Sequence, residues 1–317
     1  MSAITKSTAV FVTLSGLFWG GWIVGSQTPE GQEALARAYE AYSEQQAAAN
    51  ETLFDSTALR AIVCGDPAND PKPCLAVAAG GHFFIVDAGS GAAASLNHHN
   101  IPLSRLDAVL LTDADLPQTA DLSAVFSDYS RGRDNALLAV FGPPDTQRLV
   151  EGMNQSRGHN GLDAGLQAWG PSPEPGRSVI VFEADGLTVS AFTTEEDAFN
   201  GRIGYRFDYR GRSIVIGGDG QVVSASAARD ADVVLQTARS DALADDGTDG
   251  VTAAEVATNA RAANAGMVVL TGADNQIAAQ VQVSEARAAG FDDVIAGRVG
   301  LVLELPLTNS EVNVRTL

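Results

Sequence analysis

Histidine, cysteine and positive charge are all scarce in this sequence, and each scarcity closes off a class of function. Only four histidines occur among 317 residues, at His82, His98, His99 and His159. A catalytic zinc centre draws on several imidazoles and keeps a coordination position open for water, so a His-rich hydrolytic centre is not expected. His98 and His99 are adjacent and cannot face one direction on a helix or a strand; both are read as surface residues. Two cysteines, Cys64 and Cys74, are too few for a zinc ribbon. Lys and Arg number 20 against 39 Asp and Glu, a formal charge of −19. Nucleic-acid binding depends on Lys and Arg displacing counterions, and no basic run relieves the acidity, so neither DNA nor RNA is expected as a partner. Aromatic residues make up only 6 % while Gly reaches 32, which favours a sheet-rich fold with tight turns over a helical bundle. There is no G-x-S-x-G elbow, no P-loop and no defensible Cys–His pair. Gly217-Gly218-Asp219-Gly220 lacks the G-x-G-x-x-G spacing of a dinucleotide site.

What is present begins at the N-terminus. After Lys6 no charge occurs until Glu30, and Thr8–Val24 is a run of mostly apolar residues. Its length stands at the short limit for a membrane span and is slightly long for a signal-peptide core. Residues 1–29 are therefore read as a signal anchor or a cleaved signal peptide, both of which put the body outside the cytoplasm. Residues 30–54, rich in Ala, Glu and Gln with Leu35, Ala38, Tyr39 and Tyr42 at helical spacing, read as a helical stalk. Cys64 and Cys74 bracket a short Pro- and Asp-rich loop. An oxidising compartment would favour a disulfide closing it, with two buried thiols as the other reading.

From residue 55 the texture is strand-rich. Leu59–Val63, Leu75–Ala79, His82–Asp87, Leu106–Thr112 and Ala136–Phe141 are apolar runs bounded by turn residues. A second series follows at Ser178–Glu183, Thr188–Thr193, Tyr205–Tyr209, Ser213–Ile216, Asp232–Gln236, Met267–Thr271, Asp293–Ile295 and Val302–Leu305. Ala92–His99, Thr252–Ala265 and Val283–Ala289 read as helices. Hairpins open each half and strand–helix alternation follows, which predicts two mixed sheets covered by helices.

The order of Phe84–Gly91, Leu106–Thr112, Phe141-Gly142-Pro143, Tyr205–Tyr209 and Ser213–Asp219 resembles the metallo-β-lactamase superfamily, in particular its ribonuclease Z and arylsulfatase-like branch. The resemblance implies an α/β fold of the αββα sandwich type over residues 55–317. It also implies a catalytic loop after Thr112, where the family carries His-x-His-x-Asp-His around two zinc ions. Here those places hold Asp113, Asp115, Pro117 and Gln118. A later family His falls near Glu195 or Glu196, and two others fall at Gly250 and Gly272. The bridging Asp is kept as Asp219, and Asp87 resembles a family residue that braces the loop.

The resemblance therefore implies a dismantled zinc site. The expected protein is a catalytically degenerate, membrane-tethered binding or scaffold subunit outside the cytoplasm, with a protein partner and no cofactor. The alternative is an ester hydrolase in which Asp113, Asp115, Glu196 and Asp219 hold Ca²⁺, Mg²⁺ or Mn²⁺, since hard cations prefer oxygen ligands and four converging carboxylates would otherwise repel. Zinc is not expected. The acidic loop Asp241–Gly250 lacks the spacing of an EF-hand and reads as a solvated loop.

Overall fold

A computed structural model describes residues 51–66, 74–193, 201–220, 222–243 and 250–317, together with Pro29, Gln32, Glu33 and Arg37. The chain divides into two compact units, Met1–Thr52 and Leu53–Leu317. In the first, Gln32, Glu33 and Arg37 are helical and exposed, and Arg37 pairs with Glu33 at 3.1 Å, one helical turn away. The expected apolar anchor and the remainder of the expected stalk lie outside the described residues. Among the described residues no helix is long and apolar enough to cross a membrane.

The second unit opens with β1 (Ala58–Val63), β2 (Leu75–Ala79), β3 (His82–Val86), α1 (Ala92–His98) and β4 (Ala108–Leu110). It continues with α2 (Leu116–Thr119), α3 (Leu122–Tyr129), β5 (Leu137–Phe141), α4 (Thr146–Arg157) and β6 (Gly165–Trp169). The second half contributes β7 (Val179–Ala184), β8 (Leu187–Phe192), β9 (Gly204–Tyr209), β10 (Arg212–Gly217), β11 (Val233–Thr237), α5 (Ala253–Ala262), β12 (Met267–Thr271) and α6 (Gln276–Ala288). It closes with β13 (Val294–Ala296), β14 (Leu301–Pro306) and β15 (Asn313–Thr316). Two mixed sheets result, ordered β15-β14-β1-β2-β3-β4-β5-β6 and β13-β12-β11-β10-β9-β8-β7. Each is antiparallel through its hairpins and parallel through β3 to β6 and β10 to β13, where helices or longer loops intervene.

The strands read as unbroken apolar runs because both faces are covered. On β3, Phe84 and Val86 face the other sheet while Phe83 and Ile85 face α1 and α3. On β10, Ile214 and Ile216 point inward and Val215 packs under α5. The inter-sheet layer is closed by Tyr205, Phe207 and Tyr209, all fully buried. Burying each such side chain contributes roughly 1.5–3 kcal/mol. Five elements were not expected from the sequence: the helices α2, α3 and the polar α4, and the strands β6 and β15. The α6 helix also starts earlier than its apolar half suggested. Cys64 and Cys74 form a disulfide.

Candidate functional site

The site lies where β3, β4 and β10 end. Asp87 follows β3 in the left-handed region, φ 57°, a conformation that side chains other than Gly adopt only when their surroundings hold them there. The holding contacts are explicit. Asp87 N–H donates to Leu110 O at 2.9 Å. Thr112 N–H donates to Asp87 Oδ1 at 2.7 Å and Thr112 Oγ1–H donates to Oδ2 at 2.6 Å. Next door, Ala88 N–H reaches Gln118 O at 2.7 Å, which ties the Thr112–Gln118 loop to the end of β3. Burial pushes the Asp87 carboxyl up to about 8; the Thr112 hydrogen bonds oppose this, and the charges of Asp113 and Asp219 add to it. Tyr205 donates from its hydroxyl to Leu111 O at 3.0 Å. Burial, and then the Asp87 charge, hold that phenol well above its usual range.

Asp113 sits one residue beyond Thr112, and a guanidinium meets it: Arg202 Nε donates to Asp113 Oδ2 at 2.9 Å. Arg202 is held by its own backbone, since Ile203 N–H donates to Thr112 O at 3.0 Å and Arg202 O accepts from Thr193 Oγ1 at 2.9 Å. The Gly217–Gly220 turn closes the third side. Gly218 lies against Thr112, and a Cβ at Gly220 would stand 2.3 Å from Arg202 Nη1. Arg202 thus lies between the loop carrying Asp113 and the turn carrying Asp219. Asp219 makes no hydrogen bond or ion pair with another described residue, though its charge reaches Asp87.

The structure therefore brings Asp87, Asp113 and Asp219 together. Asp115 is exposed at the start of α2, with no side-chain bond to the helix, and only its backbone N–H contacts Asp113, at 3.2 Å. Glu196 lies outside the described residues, as do Glu195, Asp245, Asp246 and Asp249. Gln118 is buried, and its Oε1 has no hydrogen-bond partner among the described residues. Gly272 has φ +90° and a Cβ there would stand 2.8 Å from the Thr237 methyl, so the position has no room for an imidazole. Behind it the second sheet offers amides and hydroxyls. Gln236 Nε2 donates to Gly218 O at 2.6 Å and its Oε1 accepts from Val223 N–H at 3.2 Å, while Thr237 and Thr271 hydroxyls lie 3.1 Å apart. The space left among Asp87, Gly217, Gln236 and Thr271 is about 10 Å³, room for one water molecule.

The residues present do not fit a pair of zinc ions. Zinc sites use His and Cys with carboxylates in support, and none of the four histidines is in contact with this loop. His82 bridges Asp107 and Asp185 (3.3 and 2.9 Å), the His98 and His99 rings meet edge to face, and His159 packs on Phe126. Among the described residues, no three His, Cys, Asp or Glu side chains are grouped so that they could hold a metal ion. Arg202 was missed by sequence reasoning. Its signal was its isolation: it is the only basic residue between Arg177 and Arg206, directly after an acidic stretch.

Comparison with known proteins bears on the fold. No family model matches the chain. Ribonuclease Z of Mycobacterium sp. (strain KMS) is 29 % identical over 169 residues, covering 49 % of this chain and 58 % of that protein. Ribonuclease Z of Mycobacterium marinum is 30 % identical over 167 residues, covering 49 % and 60 %. The chain thus spans about 60 % of the length of these curated relatives. Among solved structures, the metallo-β-lactamase fold protein YhfI from Bacillus subtilis superposes with a TM-score of 0.61 at 19 % identity, over 78 % of this chain and 99 % of that one. The short form of human tRNase Z gives 0.61 at 16 % identity with the same coverage. The two packed mixed sheets have the metallo-β-lactamase fold. Over about half of its length the sequence is also similar to ribonuclease Z.

Proposed function

We propose that this protein is a metallo-β-lactamase-fold binding or scaffold subunit in which an internal arginine has taken the place of catalytic metal. The observation that carries the reading is the Arg202–Asp113 ion pair, beside Asp87 and Asp219, whose charges are felt there. A guanidinium there balances negative charge that would otherwise require a cation, and it activates no water. Gly272, pressed against Thr237, supports the same reading, because a ligand side chain would not fit. Residues 1–29 would tether the domain to the outer face of a membrane. The Cys64–Cys74 disulfide supports an oxidising location.

The alternative reading is a nuclease or other ester hydrolase, favoured by the name of the ribonuclease Z relatives. That likeness lends nothing to the expectation that nucleic acid is excluded; the net charge of −19 is what speaks against an RNA substrate. Full-length protein purified without chelator should carry less than stoichiometric Zn, Ca, Mg or Mn by elemental mass spectrometry. It should not turn over bis(p-nitrophenyl) phosphate or a structured RNA when those metals are added. Stoichiometric metal with turnover that disappears in Asp113→Ala and Asp219→Ala would overturn the proposal. For the scaffold role, a partner should co-purify in mild detergent, and a chain that always runs alone would count against it.

A further inference from the structure

The two sheets are unequal, with eight strands against seven. Along the side where β13 and β15 form the free edges, a groove of about 730 Å³ opens between α6, β13 and the β14–β15 hairpin. This is the size of sites that take small organic ligands. Its walls are largely apolar, with Val283, Val299, Leu301 and Val314 among them. Its charged residues are Arg287 and Arg298, and no carboxylate lines it. Both guanidiniums are exposed, and neither forms an ion pair with a described residue, so the groove carries two positive charges in a chain of net charge −19. Arg287 makes only a long contact to Val294 O, at 3.5 Å, and the Arg298 side chain has no hydrogen-bond or ionic partner among the described residues.

An occupant that complements this surface brings one negative head group and an apolar body. We propose that the groove binds a small amphipathic carboxylate. The planar, multiply donating guanidinium suits a carboxylate head, and the valine and leucine walls cover an aliphatic chain. This site is separate from the Asp113–Arg202 centre and does not depend on how that centre is read.

The test is calorimetric titration of the full chain with decanoate, kept below its micellar range, against uncharged decanol. Decanoate should bind once per chain and at least tenfold more tightly than decanol. The Arg287→Gln/Arg298→Gln double variant should abolish that preference, and its melting should match the parent because both side chains are exposed. Ser284→Trp, which puts an indole into the groove, should weaken both ligands. No saturable binding, equal affinity for the two ligands, or a preference that survives the double arginine variant would each overturn the proposal. So would selective capture of an acidic strand-forming peptide with no binding of decanoate, which would assign the groove to a polypeptide.

Discussion

Replacing Arg202 tests the central claim most directly. Arg202→Met keeps the aliphatic stem and removes the charge. Asp113 then loses its counter-ion while Asp87 and Asp219 remain beside it. At an effective dielectric of about 20, two unit charges about 4 Å apart attract by about 4 kcal/mol before desolvation and ordering are subtracted. Stripping one partner from a buried pair costs about 3–5 kcal/mol, whereas fully exposed pairs contribute about 1 kcal/mol or less. With side chains 32 % and 17 % exposed, this pair falls between those limits, and a loss of about 2 kcal/mol is expected. Urea unfolding of the parent, Arg202→Met, Asp113→Asn and the double variant gives the coupling directly. The double variant should be more stable than the sum of the singles implies, by about 1 kcal/mol or more. A second readout follows from charge replacement. In Arg202→Met, millimolar Ca²⁺ or Mg²⁺ should raise the unfolding midpoint by mass action, while the parent should not respond. Additivity within about 0.3–0.5 kcal/mol, together with no cation response in the variant, would refute the idea that Arg202 fills a cation's role.

Three other outcomes can be checked on the same protein. Because the folded Asp87 carboxyl is raised to about 8 from 3.8, its stabilising contribution is complete below the unfolded value and lost as pH climbs through 8. Stability should therefore fall between about pH 4 and pH 8, by up to about 1.4 kcal/mol per unit, and level off above that, and Asp87→Asn should flatten the profile; an unchanged slope in that variant would place the titration elsewhere. Gly272→His should cost about 1–3 kcal/mol from the left-handed backbone alone, with the Thr237 contact adding to it, so a histidine of wild-type stability there would show that the site is roomier than described. Reduction of Cys64–Cys74, separated by 10 positions, should lower the unfolding free energy by about 3 kcal/mol on loop-closure grounds, as read from unfolding curves with and without reductant.

Much of the sandwich was legible because its strands are short apolar runs cut off by turn residues. Leu75–Ala79 and Met267–Thr271 coincide with β2 and β12 residue for residue. The misses have identifiable physics. The α4 helix buries little beyond Thr146, Val150 and Asn154, so its apolar stripe is too thin to stand out. The start of α6 carries Ile277, which is 70 % exposed and blurs the pattern. The readable signal there was the cap: Asn275 Oδ1 accepts from the N–H groups of Ile277 and Ala278 at 2.9 and 3.0 Å. At the site, the replaced ligand positions could be read along the loop after Thr112. Arg202 stands out in the sequence only by its isolation; its pairing with Asp113, 89 residues away, is made only where the residues before β9 bond to the loop after β4.

The pairing of β1 with β14, Ala58 opposite Pro306, sets a timetable for synthesis. The first hairpins can form early, but the outer edge of β1 has no partner until about 240 further residues have been made. At roughly 5–20 residues per second, that leaves a strand edge, apolar but for Arg60, uncovered for tens of seconds on the growing chain. Such an edge invites pairing with other chains. A ribosome-associated or translocation-coupled chaperone would have its greatest effect in that interval, and truncations ending before Leu301 should aggregate even though they contain every residue described at the candidate site.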